Sequence, residues 1–247
     1  MPFTTDRIIS RNASFKDIDF LRGVVLLVDK PVGWTSFDVV NKIRFKIKNG
    51  LGIKKIKVGH AGTLDPNASG LLIVCNGQLT KEIDSLQAKD KIYSGTIRLG
   101  ATTPTYDGES DIDKFYPYEH ITESALYEAR NSFIGELQQI PPVYSAIKID
   151  GKKSYDLARR GKEVEMKARP IQIYSFDLLS SSLPVIHFEV KCSKGTYIRS
   201  LAFDFGKSLQ SGAFLASLKR EAIGDFIIKD AFSMEEMVEF LEKATST

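Results

Sequence analysis

The stretch His60-Ala61-Gly62-Thr63-Leu64-Asp65-Pro66-Asn67-Ala68-Ser69-Gly70 constrains the chain more than any other. Glycines open backbone torsions closed to other residues, and Pro66 fixes its own φ while restricting Asp65 before it. The segment therefore predicts a tight, shaped loop instead of a helix or strand. It leads directly into Leu71-Leu72-Ile73-Val74-Cys75, an apolar run of strand length. A carboxylate on a shaped loop at the mouth of a buried strand is a candidate for chemistry, because rigid scaffolds present function on loops. The same letters also spell an ordinary turn in which Asp65 bonds its own backbone. On the loop alone, both readings stay open.

A second apolar run, Gly23-Val24-Val25-Leu26-Leu27-Val28-Asp29, predicts another buried strand, followed by a loop set by Pro31 and Gly33. Residues 1–22 are polar and mixed, without a period, and are expected to form a weakly structured extension. Ser36 is placed to cap a helix with Val40, Ile43 and Ile47 on its apolar face, and Asn49-Gly50 ends it. Residues 80–86 predict a short helix. Residues 91–100 alternate as a strand, with Tyr93 on the side of Ile97 and Leu99. Thr122 is placed to cap a helix to Phe133, with Leu126, Ala129 and Phe133 as its stripe. Residues 171–179 and 185–191 predict antiparallel strands. Thr196 is placed to cap a helix carrying Ile198, Leu201, Ala202, Phe205 and Leu209. Residues 212–224 predict a strand, and Ser233 with Glu236 a capping box that opens a terminal helix. No repeat, low-complexity segment or linker interrupts this order. The expectation is one α+β domain with a large mixed sheet flanked by helices.

At 247 residues, 43% hydrophobic and 26% charged, the chain has soluble globular composition and apolar material for a sizeable core. Cys75 and Cys192 lie in apolar or strand-like runs and predict reduced core thiols, with a lone disulfide left open. His60, His120 and His187 are scattered, so no metal-ligand spacing exists. No apolar run approaches membrane-spanning length and no signal core opens the chain, so a cytoplasmic protein is expected. The net charge is only +3. Its distribution says more: Lys42, Arg44, Lys46, Lys48, Lys54, Lys55 and Lys57 stand with no acid among them. A second group, Lys148, Lys152, Lys153, Arg159, Arg160, Lys162, Lys167 and Arg169, is diluted by acids. Such clusters attract phosphate backbones, or form solvated lysine faces.

Gly59-His60-Ala61-Gly62-Thr63-Leu64-Asp65-Pro66, followed by Ala68-Ser69-Gly70-Leu71-Leu72, resembles the signature of the TruB family of RNA pseudouridine synthases. The motif is long and nearly gapless. Further matches follow in family order: Lys30-Pro31, Thr80-Lys81, Tyr93, then Thr103, Thr105 and Asp107. Residues 138–155, the segment 192–200 and the strand 212–224 continue the resemblance, which spans about residues 23–224. It implies a pseudouridine-synthase catalytic domain over residues 23–247, its sheet mostly antiparallel, with a thumb-like insertion over the RNA loop. The C-terminal domain of the PUA type that many bacterial members carry is not expected here.

The reaction implied is isomerisation of uridine to pseudouridine at position 55 in the T-loop of tRNA. It breaks the C1′–N1 bond, turns the base and joins C5 to C1′. No redox change or group transfer occurs, so neither cofactor nor metal is expected. Cleavage places positive charge on the sugar, which a carboxylate stabilises or captures in glycoside hydrolysis. A hydrolase needs a second carboxylate for water, and the loop offers one, as suits an isomerase. The resemblance makes Asp65 the catalytic carboxylate, Arg199 its charged partner and Tyr93 the residue stacked on the base. Tyr197 and Leu218 line the pocket, His60 holds the extruded nucleotide, and Lys30 joins the substrate-binding residues in a structural or RNA-facing role. The base must be flipped out, and the RNA read by shape and splayed bases. The expected partner is the tRNA T-arm, with no membrane, no obligate protein partner and a monomeric state. Two alternatives are kept. One is a catalyst working inside a guide-RNA particle, disfavoured by the missing C-terminal domain. The other is a non-catalytic RNA-binding protein, against which Asp65 argues.

Overall fold

The computed structural model describes residues 7–11, 18–145, 147–149, 151–155 and 165–245. Arg159, Arg160 and Lys162 of the second basic group lie outside the described residues. The chain divides into two compact units, residues 1–93 with 219–247, and residues 94–218.

The first unit carries Ile8–Ile9 (β1), Val25–Lys30 (β2), the helix Ser36–Gly50 (α1), Val58–His60 (β3) and Ala68–Asn76 (β4). A short 3-10 helix, Gly77–Glu82, leads into Ile83–Gln87 (α2) and the start of Lys91–Leu99 (β5). The second unit holds the rest of β5, Ala101–Thr102 (β6), Lys114–Phe115 (β7), Glu123–Ser132 (α3) and Gly135–Gln139 (β8). It continues through Lys148–Ile149 (β9), Lys152–Lys153 (β10), Arg169–Ser182 (β11), Val185–Cys192 (β12), Ile198–Ser208 (α4) and the first part of Ala213–Ile223 (β13). The chain then re-enters the first unit through the end of β13, Phe226–Ile227 (β14) and Met234–Thr245 (α5).

In the first unit the strand order is β1-β2-β4-β13. β1 runs parallel to β2, while β4 is antiparallel to β2 from Cys75 opposite Val25 to Gly70 opposite Lys30. Both faces of β2 and β4 are covered, which is why their sequences are continuously apolar. Leu26, Val28, Leu72 and Val74 pack with Val40, Ile43, Ile47, Met237 and Leu241. Val25, Leu27, Leu71, Ile73 and Cys75 pack with Leu86, Ile223 and Phe226. The described part of the N-terminal segment is tied into this core, against the expectation of weak structure. Ile9 and Phe20 are buried, and Asn76 Nδ2 donates to the Phe20 carbonyl at 2.7 Å. A two-residue strand draws its order from β2, so no periodicity of its own announces it.

Helix α1 buries the expected Val40, Ile43 and Ile47, but Thr35 caps it in place of Ser36. The Thr35 hydroxyl accepts from the Asp38 N–H, and Asp38 reciprocates to the Thr35 N–H. Gly50 stays helical, and Gly52 takes the positive φ just beyond. The capping box of Ser233 and Glu236 opens α5 as expected.

In the second unit the order is β13-β5-β12-β11-β8. The predicted pair 171–179 and 185–191 is observed as antiparallel β11 and β12. Along β12, buried Ile186, Phe188, Val190 and Cys192 alternate with exposed His187, Glu189 and Lys191. Phe176 meets Phe188 and Phe205 edge-on, at 6.0 and 5.5 Å between centroids. Thr122 caps α3 as expected. Both cysteines are buried thiols. Among the described residues no helix is long and apolar enough to cross a membrane.

Candidate active site

The Asp65 loop hangs between β3 and β4, and the first unit fixes it from three sides. From α1, the Ser36 hydroxyl accepts from the Leu64 N–H at 2.8 Å and donates to the Leu64 carbonyl at 3.1 Å. From the turn after β2, the Gly33 N–H donates to the Pro66 carbonyl at 2.8 Å. From β13, the Arg220 guanidinium reaches underneath. Its Nε donates to the Leu71 carbonyl at 2.7 Å and one terminal nitrogen to the Gly62 carbonyl at 3.1 Å, with a longer contact to Thr63 at 3.5 Å. Arg220 is only 1% exposed. Gly70 has φ +106°, and a Cβ there would fall 2.4 Å from the Arg220 carbonyl oxygen. Glycine is therefore required where β4 passes β13. Asp65 itself is half-buried, and its carbonyl accepts from the Ala68 N–H at 3.1 Å.

Lys30, expected among the substrate-binding residues, has no exposed surface. Its ammonium donates to the carbonyls of Trp34 at 2.6 Å and Pro31 at 3.0 Å, closing the turn that presents Gly33 to Pro66. These two bonds give Lys30 a structural role, one of the two that its motif left open. Burial lowers its pKa to about 8; the Asp65 charge opposes that shift and the Arg220 charge adds to it. His60 is half-buried at the end of β3, and its Nδ1 is buried. Burial, then the Arg220 charge, lower its pKa, which favours a neutral ring. Tyr93 is 9% exposed on the face of β5 that also buries Ile97 and Leu99.

In the second unit Arg199 is buried in the first turn of α4. One terminal nitrogen donates to the Thr105 carbonyl at 3.2 Å and lies 3.5 Å from Asp107 Oδ2; the other donates to the Tyr144 carbonyl at 3.0 Å. Asp107 is held in turn by the Thr105 hydroxyl at 2.6 Å and the Glu109 N–H at 2.9 Å. Between them Tyr106 adopts φ +63° and stacks on Phe203 at 4.0 Å. So the matched residues Thr105 and Asp107 hold a buried arginine, and the Thr103 hydroxyl donates to the Asp107 carbonyl at 2.7 Å. Tyr197 is the N-cap of α4, a place expected for Thr196. The Thr196 hydroxyl instead donates to the Ser193 carbonyl, and the Gln139 side chain takes over the cap. Gln139 accepts from the Tyr197 N–H at 2.8 Å and donates to its carbonyl at 3.0 Å. Leu218 is half-buried on β13.

The structure thus groups Lys30, His60 and Asp65 in one unit and Arg199 and Tyr197 in the other. Reading the residues alone missed Arg220, Gln139 and the tether from Ser36 to Leu64. The signal for Arg220 was its place on the strand face of the buried Ala222, between Lys219 and Glu221, which pair at 3.4 Å.

Solved structures share this architecture. A Cbf5-Nop10-Gar1 complex contains a chain 27% identical with a TM-score of 0.65, covering 90% of this chain and 55% of that one. The archaeal box H/ACA sRNP Nop10-Cbf5 complex gives 26% identity and a TM-score of 0.63, covering 90% and 54%. Residues 48–198 match the family described as TruB family pseudouridylate synthase (N terminal domain). The chain belongs to that family. It is 52% identical over 226 residues to tRNA pseudouridine synthase B of Parabacteroides distasonis, covering 92% of this chain and 96% of that protein. The protein of that name from Flavobacterium johnsoniae is 49% identical, with coverage of 91% and 98%.

Proposed function

We infer that the chain is a tRNA pseudouridine synthase that isomerises the uridine at position 55 of the T-loop. The observation that carries this is Asp65: an acid in the family signature, on a loop braced by Ser36, Gly33 and Arg220. A mere turn residue needs no such bracing. The identity of 52% to the Parabacteroides distasonis relative, against 26% to the archaeal Cbf5 chain, favours the tRNA reading over a guide-RNA particle.

In this reading the target nucleotide is flipped from the RNA and His60 helps hold it out. The Asp65 carboxylate stabilises or captures C1′ as the bond to N1 breaks. The freed uracil, stacked on Tyr93 and bounded by Tyr197 and Leu218, turns and bonds through C5. The hydrogen on C5 then leaves as a proton, so atoms and electrons balance without an added reactant. Arg199 supplies a permanent positive charge to this reaction. The enzyme acts as a cytoplasmic monomer without an obligate protein partner. Incubating the purified chain with an unmodified T-arm hairpin and mapping pseudouridine tests the activity. Conversion at the position corresponding to 55 is expected, and no conversion would overturn it.

A further inference from the structure

The outer face of α1 carries two large apolar side chains that the reaction above does not use. Phe37 is 59% and Phe45 58% exposed, although the same helix buries its other face completely. Successive i+4 steps run from Phe37 through Asn41 to Phe45, a rise of roughly 12 Å along the axis. The Arg44 guanidinium lies 5.9 Å from the Phe37 ring centroid. It is fixed there by the Asn41 carboxamide oxygen at 3.0 Å and the Val58 carbonyl at 3.1 Å.

The surroundings are cationic. Lys42, Lys54, Lys55 and Lys57 are exposed, and the nearest acid in sequence, Asp38, is engaged in the Thr35 cap. Lys46 pairs with Glu242, whose carboxylate also feels the charge of Lys42. An apolar protein partner would leave these lysines desolvated and unmatched; a polyanion with flat apolar groups satisfies both features. The face also leads to the candidate site. Ser36, beside Phe37, is bonded to Leu64, and the segment from Lys54 to Lys57 returns through β3 to His60.

We propose that this face of α1 binds unpaired nucleotides of the RNA next to the target uridine. Bases stack on Phe37 and Phe45, and phosphates lie along Lys54, Lys55 and Lys57. The proposal rests on the RNA substrate inferred above and extends it to a second contact surface.

The test is the affinity of the purified chain for a fluorescent T-arm hairpin, read by anisotropy across a salt titration. In the Phe37→Ala/Phe45→Ala variant Kd should rise by roughly tenfold or more, as lost base–aromatic stacking implies. The slope of log Kd against log salt should persist, because the lysines remain. Melting should not change, since both rings are exposed. Phe→Trp at both positions should restore binding, and Phe→Leu should not. Kd within twofold of wild type in the alanine variant would overturn the proposal, as would full binding by the leucine variant. Binding reads this surface independently of turnover. Absent conversion by wild type would overturn the catalytic reading alone, and normal conversion with unaltered alanine-variant Kd the surface alone.

Discussion

Arg220 holds Leu71, its Nε 2.7 Å from the Leu71 carbonyl, while the other arm of the same guanidinium reaches Gly62 on the far side of the Asp65 loop. One planar cation thus spans both ends of the segment that presents the carboxylate. Arginine suits this because its donors form a rigid fork.

Replacing Arg220 with Met should leave those carbonyls unpaired in a buried place. At about 1–3 kcal/mol for each of the two lost partners, the stability cost is roughly 2–6 kcal/mol. Lys at this position can reach one carbonyl and should recover part of the stability but little turnover, because a single point of attachment does not fix the loop. Thermal melting and single-turnover rates at saturating RNA check this. A lysine variant with wild-type turnover would show that the loop holds its shape without the fork.

Lys30 gives a pH signature. Its pKa is about 8 folded against 10.5 ordinarily. Between those values the unfolded chain holds a proton that the folded chain has released, so stability rises with pH across that window. Below it, both states are protonated and the burial penalty is present in full. Lys30→Met lacks the titration. Relative to that variant, wild type should gain roughly 3 kcal/mol on going from neutral pH to 10.5. Urea melts of both proteins at the two ends of the window measure the difference. A constant gap would contradict a depressed lysine.

Much of this fold is legible from residue pattern, and the exceptions share a cause. The buried runs of β2 and β4, the stripe of α1 and the capping box of α5 are local, because neighbours three or four positions apart determine them. The Gln139 cap on Tyr197 bridges 58 positions, and the Arg220 bond to Leu71 bridges 149. No window along the chain contains both partners. Lys30 shows the same limit from the other side. Its motif marks it as special, yet whether an ammonium faces RNA or two carbonyls depends on the turn at Trp34. For Asp65 the signature was legible, while the bracing by Ser36 and Arg220 required the fold.

Asp107 and Arg199 form a buried ion pair at 3.5 Å. Removing one partner of such a pair typically costs about 3–5 kcal/mol. Asp107→Ala should therefore lower the melting temperature strongly. Asp107→Asn also removes the charge and should cost nearly as much, although it keeps an acceptor for the Thr105 hydroxyl and the Glu109 N–H. Near wild-type melting of Asp107→Asn would show that the hydrogen bonding, not the charge, is what Asp107 provides.

The central claim is that Asp65 acts chemically. Asp65→Asn keeps size and most hydrogen bonding but removes the charge, and Asn is at home in the same turns. The decisive measurement is release of the C5 hydrogen from labelled uridine in a T-arm RNA, with melting and RNA affinity recorded on the same protein. Turnover should vanish while melting temperature and Kd stay near wild type; substantial turnover by Asp65→Asn would contradict the account.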